Sequence, residues 1–269
     1  MMNVKKYRLL ANDTKKVACR TLYRIQALRN IFDDVAEGDL GGYIEKEANL
    51  SQEGECWVYD EAVVYGDAVV TGDAAVCNRA KVAGPAVITD TACVGDSARV
   101  HGYAKVCGNA DVFGSCVVHG NAVVDGEAYL DGEVTVSGDT KITGNARIEG
   151  RVEFRGSDNV VEGDALVTAD CCFNGNAHLT KEADYMTIKG VGRTAEFVTF
   201  YKTKTGAAVS YDGHVYTTLD EFNDMLDACE VPQGSTEVMH SMFIQEMQVA
   251  LILARLHFLH NRVLGDETD

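Results

Sequence analysis

The 269-residue chain carries 41 acidic and 24 basic side chains, a formal net charge of −17, with 26 glycines, 2 prolines and nine cysteines. That charge repels phosphate backbones and anionic lipid, which argues against direct nucleic-acid binding and membrane-surface attachment. There is no Cys-x-x-Cys pair and no apolar run of 18 residues, and the opening Met-Met-Asn-Val-Lys-Lys-Tyr lacks an export core; reduced thiols and a cytoplasmic address are expected.

Residues 1–49 read as an N-terminal β cap. Tyr7–Leu10 and Thr21–Ile25 alternate like short strands, with a polar turn expected at Asn12-Asp13-Thr14-Lys15-Lys16. A solenoid that begins after this segment exposes a raw sheet edge and an open apolar core, which a cap must cover.

Residues 50–185 hold the dominant pattern. From Val58 to Phe154 an aliphatic or aromatic residue stands at every sixth position, including Val64, Val70, Ile88, Leu130 and Ile148. Two residues after each comes Gly, Asn or Asp, and four after it a small residue, most often Ala. Six is a multiple of the strand period and a poor fit to the helical one, so i and i+4 share a face of an extended segment. Gly, Asn and Asp accept left-handed backbone at least cost, so i+2 marks a bend. Short strands joined by regular bends make a coil, and stacked coils a mainly β solenoid. After Phe154 the frame advances by one residue near Val160-Val161 and resumes at Val161, Val167, Phe173 and Leu179. Three hexads per coil give roughly seven coils, a rod of roughly 34 Å at strand spacing.

Residues 186–269 read as a C-terminal α+β module. Glu196–Lys202 and Ala207–Tyr211 are β-rich with a turn at Thr205-Gly206, and Gly190-Val-Gly192-Arg-Thr is a turn too short for a phosphate loop. Thr218-Leu-Asp-Glu221 is a capping box that opens a helix to about Ala228, after which Pro232, Gly234 and Ser235 make a break. A long helix over 235–263 is apolar on so many sides that it packs on more than one surface; the alternatives are core packing on the C-terminal end of the solenoid and a contact with another subunit or partner.

The hexad resembles the hexapeptide repeat of the single-stranded left-handed parallel β-helix. The flank Gly38-Asp39-Leu40-Gly41-Gly42-Tyr43-Ile44-Glu45, with Asn49-Leu50-Ser51 and Cys56-Trp57-Val58, is similar to the YdcK-like transferases and their phage and prophage relatives. The resemblance implies the left hand of the coil and a possible activity: hexapeptide acyltransferases commonly use a wall histidine as general base beside acetyl-CoA held between the subunits of a homotrimer.

Coil arithmetic supplies the candidate site residues. His101 and His119 are eighteen apart, so they stack on successive coils, and each follows an inward Val and therefore faces out. Tyr103 shares that side, and Ser137 and Arg155 continue the column. Imidazole suits proton transfer near neutral pH. Against catalysis, no insertion interrupts the frame from Val58 to Phe154 to wall a pocket, and Arg79, Lys81, Arg99 and Lys105 are scattered among acids rather than clustered for the phosphates of coenzyme A. Two readings follow: a non-catalytic scaffold or interaction protein, needing no cofactor or metal and contacting a protein partner or itself through the wall and long helix, or an acyl-CoA-dependent acyltransferase with His101 or His119 as base. A third use of the same acidic wall is imitation of nucleic acid, or sequestration of a small ligand.

Overall fold

Every bend position of the hexad frame from Asp60 to Gly156 has a left-handed backbone, with φ between 51° and 94°. The computed structural model describes residues 5–31, 34–190, 197–231 and 235–265, with side chains to residue 260. Its bends divide the chain into mostly two-residue strands that stack as three parallel walls. Partners sit eighteen residues apart, as in Val64↔Val82 and Val100↔Val118. The inward Val, Ile and Leu positions and the i+4 alanines from Ala62 to Ala146 are solvent-free, so each hexad from Val58 to Ile148 buries one large and one smaller side chain, whereas Asp158 of the Phe154 hexad is exposed. A β-solenoid of parallel stacked coils is the architecture.

Parallel stacking begins before the hexad frame. β1 (Tyr7–Val17) and β2 (Arg20–Ala27) form an antiparallel hairpin, and β3 (Leu40–Ile44) is antiparallel to β2 on one edge and parallel to Val63–Val64 on the other. That wall therefore has ten strands and each of the others seven. With β3 as its first rung the rod makes about eight turns, where the hexad count gave about seven. The expected polar turn at Asn12–Lys16 is not a turn. β1 runs through it with a bulge between Leu10 and Thr14, and the reversal falls at Ala18-Cys19, where Ala18 has φ 52°. Alternation wins over polarity: Lys15 and Asp13 reach sideways to Glu61 and Arg24, so the charges bind along the strand instead of ending it.

The frame advance is a one-residue register change. Ile142 pairs with Val161 and Phe154 with Phe173, nineteen residues apart, before eighteen resumes at Val161↔Leu179. Asn159, fully buried, holds the extra residue: its Nδ2 donates to the Arg155 carbonyl (2.8 Å) and Thr140 Oγ1 (3.2 Å), and its Oδ1 accepts from the Ala177 amide (3.2 Å).

Both ends are plugged. At the N-terminal end Trp57, 1% exposed, meets Tyr7 edge-on at 6.2 Å. At the other end Phe154 stacks on Phe173 at 4.8 Å, and Tyr185 and Tyr201 close over Phe173 edge-on. Tyr185 and Tyr201 belong to a four-stranded antiparallel sheet of Tyr185–Lys189, Phe197–Lys202, Ala207–Tyr211 and His214–Tyr216. The two middle strands match the expectation; Thr205-Gly206 lies between them. α1 (Leu219–Ala228) starts at Thr218, whose hydroxyl accepts from the Glu221 amide at 3.0 Å, while Glu221 reaches back to Thr217. α2 (Glu237–Gly265) lays Phe243, Met247, Ala250, Leu251 and Ala254 against Val198, Phe200 and Phe222. Residues 191–194 of the expected turn, Glu196, and Pro232 and Gly234 of the expected break lie outside the described residues.

Candidate functional site

The parallel pairing of Arg99–Val100 with Val117–Val118 puts the next residue of each strand in one outward column. Backbone rungs fix both positions: the His101 amide donates to the Val118 carbonyl at 3.0 Å and the His119 amide to the Val136 carbonyl at 2.9 Å. The imidazoles of His101 and His119 stack with centroids 5.1 Å apart and planes 11° from parallel. The expected column thus brings the two rings together. Tyr103 stands 74% exposed on the same coil as His101, and Ser137, next in the column, turns its hydroxyl to the Phe154 carbonyl at 2.9 Å.

Partial burial of the His101 ring, with His119 and Arg99 beside it, lowers the His101 pKa below the ordinary histidine value. His101 is therefore neutral at neutral pH and presents a basic nitrogen, the protonation state a general base needs.

Arg155, the last member of the column, leads into a cleft where the wall meets the C-terminal sheet. Arg151, Glu153, Arg155, Cys172, Ser210 and Tyr211 line it, with a volume of about 270 Å³. Glu153 pairs with Arg155. The Cys172 amide donates to Thr199 Oγ1 (3.2 Å), its thiol lies 3.5 Å from Asn174 Oδ1, and Asn174 Nδ2 donates to Ser210 Oγ (2.7 Å). Burial pushes the Cys172 thiol above its ordinary pKa, with Arg155 opposing only in part. A protonated thiol is a poor nucleophile, so the cleft is polar and recessed rather than thiol-reactive. None of the nine cysteines is in a disulfide. The cleft is not legible in the sequence, because Ser210 and Tyr211 reach it from a strand thirty-odd residues away; the one local signal is Arg155 in the histidine column.

No family model matches the chain. A stretch of 30 residues is 53% identical to the protein named "Uncharacterized acetyltransferase YdcK" from Escherichia coli (strain K12). The match covers 11% of this chain and 9% of that protein. Together with the stacked parallel coils it fits a fold of the hexapeptide-repeat kind.

Proposed function

We propose that this chain is a β-solenoid interaction protein that assembles with a second copy of itself through α2, the rod serving as a rigid spacer between the modules at its ends. The supporting observation is the outer face of α2. Val238, Met242, Val249, Ile252, Leu256 and Leu259 are 56% to 69% exposed and alternate at spacings of four and three, with the polar Gln245 filling the one gap. That is the seam of a helix that packs on another helix. With Met239 and Leu253 beside it, the face is a contiguous strip of eight exposed large apolar side chains on one helix, the kind of patch that marks an interaction surface.

By length and composition Glu237–His260 is also apolar enough to cross a membrane, at a mean hydropathy of 1.3. Its inner face, however, is committed to the sheet and α1, so a second copy covering only the outer face preserves those contacts. Sedimentation velocity of the full chain tests the reading. A species of two or more chains is expected, and Val249→Glu with Leu256→Glu should convert it to monomer with an unchanged β spectrum. A monomeric parent, or one that floats with liposomes, overturns it.

A second reading, acetyl transfer, is favoured by the neutral His101 on the wall and by the printed name of the YdcK protein. In it an acceptor amine or hydroxyl attacks the thioester carbonyl, His101 takes the acceptor's proton, and coenzyme A leaves as its thiol(ate). Calorimetry with acetyl-CoA decides: micromolar binding, with turnover lost in His101→Ala by roughly 10²–10⁴-fold, would replace the scaffold reading.

A further inference from the structure

One pocket at the C-terminal end of the rod is lined by more cations than anions. Lys181, Lys202, Lys204 and Arg255 line this pocket of about 490 Å³, and Phe258 and Leu259 of α2 form part of its wall. The volume is that of an ordinary small-molecule site. Four cations converge here in a chain whose net charge is −17.

Two of the four are already paired. Lys202 Nζ lies 3.4 Å from Asp184 Oδ1, and Arg255 Nη2 lies 2.6 Å from Asp220 Oδ1. Asp184 is itself tied down: it is 3% exposed, and its Oδ2 accepts from the Thr180 amide and hydroxyl and from the Lys181 amide. Lys181 and Lys204 have no ion-pair partner among the described residues. Two positive charges are therefore left over beside an apolar wall. The amides of Thr205 and Gly206 are spent on Thr203 Oγ1 at 3.3 and 3.1 Å, so side chains rather than a backbone loop would hold an anion.

We propose that this pocket binds a phosphomonoester carried on an apolar body. A phosphomonoester brings close to two negative charges at neutral pH, which matches the two uncompensated lysines. Its three terminal oxygens can accept from Lys181 and Lys204 while the body lies against Phe258 and Leu259. The site is separate from the histidine column; it shares Leu259 with the outer face of α2, while the four cations and Phe258 lie off that face, so the monomeric Val249→Glu, Leu256→Glu chain should bind as the parent does.

The test uses the full chain and calorimetry with decyl phosphate below its micellar concentration, against inorganic phosphate, decanoate and decyltrimethylammonium. Decyl phosphate should bind once per chain and more tightly than each of the others. Lys181→Glu and Lys204→Glu should each weaken it by roughly tenfold or more, the loss expected when a charge-assisted contact is removed. Lys81→Glu, which makes the same charge change on an exposed residue five strands back from the C-terminal end of its wall, should leave binding within about twofold, since surface charges beyond a Debye length are screened. Melting temperatures report folding, and Lys204→Gln serves where the reversed charge disturbs it. Equal binding of the ammonium or the carboxylate, equal loss in Lys81→Glu, or binding only to phosphatidic-acid vesicles and not to decyl phosphate overturns the proposal.

Discussion

Lys6 Nζ lies 3.2 Å from Cys56 Sγ, and both residues are fully buried under the N-terminal cap. The ammonium is held by carbonyls rather than a carboxylate: Cys56 O at 2.9 Å, Glu53 O at 3.3 Å and Gly54 O at 3.4 Å. Burial lowers the Lys6 pKa, with the Cys56 thiol opposing. Lys6→Ala leaves three carbonyls without this donor and a void beside Trp57's end of the rod, and should cost about 2–4 kcal/mol. Because the folded pKa is depressed, stability should also rise with pH between the lowered value and the unfolded value near 10.5. Denaturant titration at pH 7 and pH 10 checks both; a Lys6→Ala protein as stable as the parent contradicts the assignment.

The hexad register has a direct test. Ala110 is fully buried at an i+4 position, whereas Asn109 beside it is exposed. Ala110→Leu should overpack the coil and cost about 1–3 kcal/mol. Asn109→Leu should stay within about 0.5 kcal/mol, as surface changes do. Equal loss at the two positions in urea melts would remove the basis for placing i+4 inward.

Gly138 distinguishes backbone strain from stacking. It has φ +67°, and an added Cβ would sit 1.8 Å from the Gly156 carbonyl oxygen of the next coil. Gly213 has φ +75° with nothing within 4 Å. Gly213→Ala should cost about 1–2 kcal/mol for the left-handed backbone alone, and Gly138→Ala clearly more. Thermal unfolding of the two variants measures the difference, and similar losses would mean the coils yield to a methyl group.

The histidine stack predicts a titration. His101 should titrate below ordinary histidine, and His119→Ala should move it upward by removing a like charge and exposing the ring. Since the folded pKa is depressed, the group opposes folding progressively as pH falls from the unfolded value of 6.5 through the folded one. Ring-proton NMR follows the shift; an unchanged or lower His101 pKa in the variant would show that the stack does not set it.

The periodic part of the molecule is written locally. Each hexad carries its own buried residue and bend, so the walls, the left-handed corners and the one-residue advance after Phe154 could all be read from spacing. Asn159 could not, because a buried polar residue that satisfies a register change is recognised only when Thr140 and Ala177 are seen around it. β3 was missed as the first rung because its partners are an antiparallel strand on one side and a parallel one on the other. The histidine column was legible because eighteen-residue stacking is simple arithmetic. The basic pocket was not: its lysines come from a turn at 181 and a strand end at 202–204, and its arginine from a helix some fifty residues later. Only the packing of α2 across that sheet brings them together.

Trp57 is the single tryptophan, and it is sealed into the first coils. In a rod where each coil touches mainly its neighbours, unfolding can start at either end. The indole therefore acts as a gauge fixed at one end. A chain that unwinds from the Tyr201 end loses β signal while its emission stays blue-shifted; one that unwinds from the hairpin shows the red shift first. The order in which those two signals change names the weaker plug.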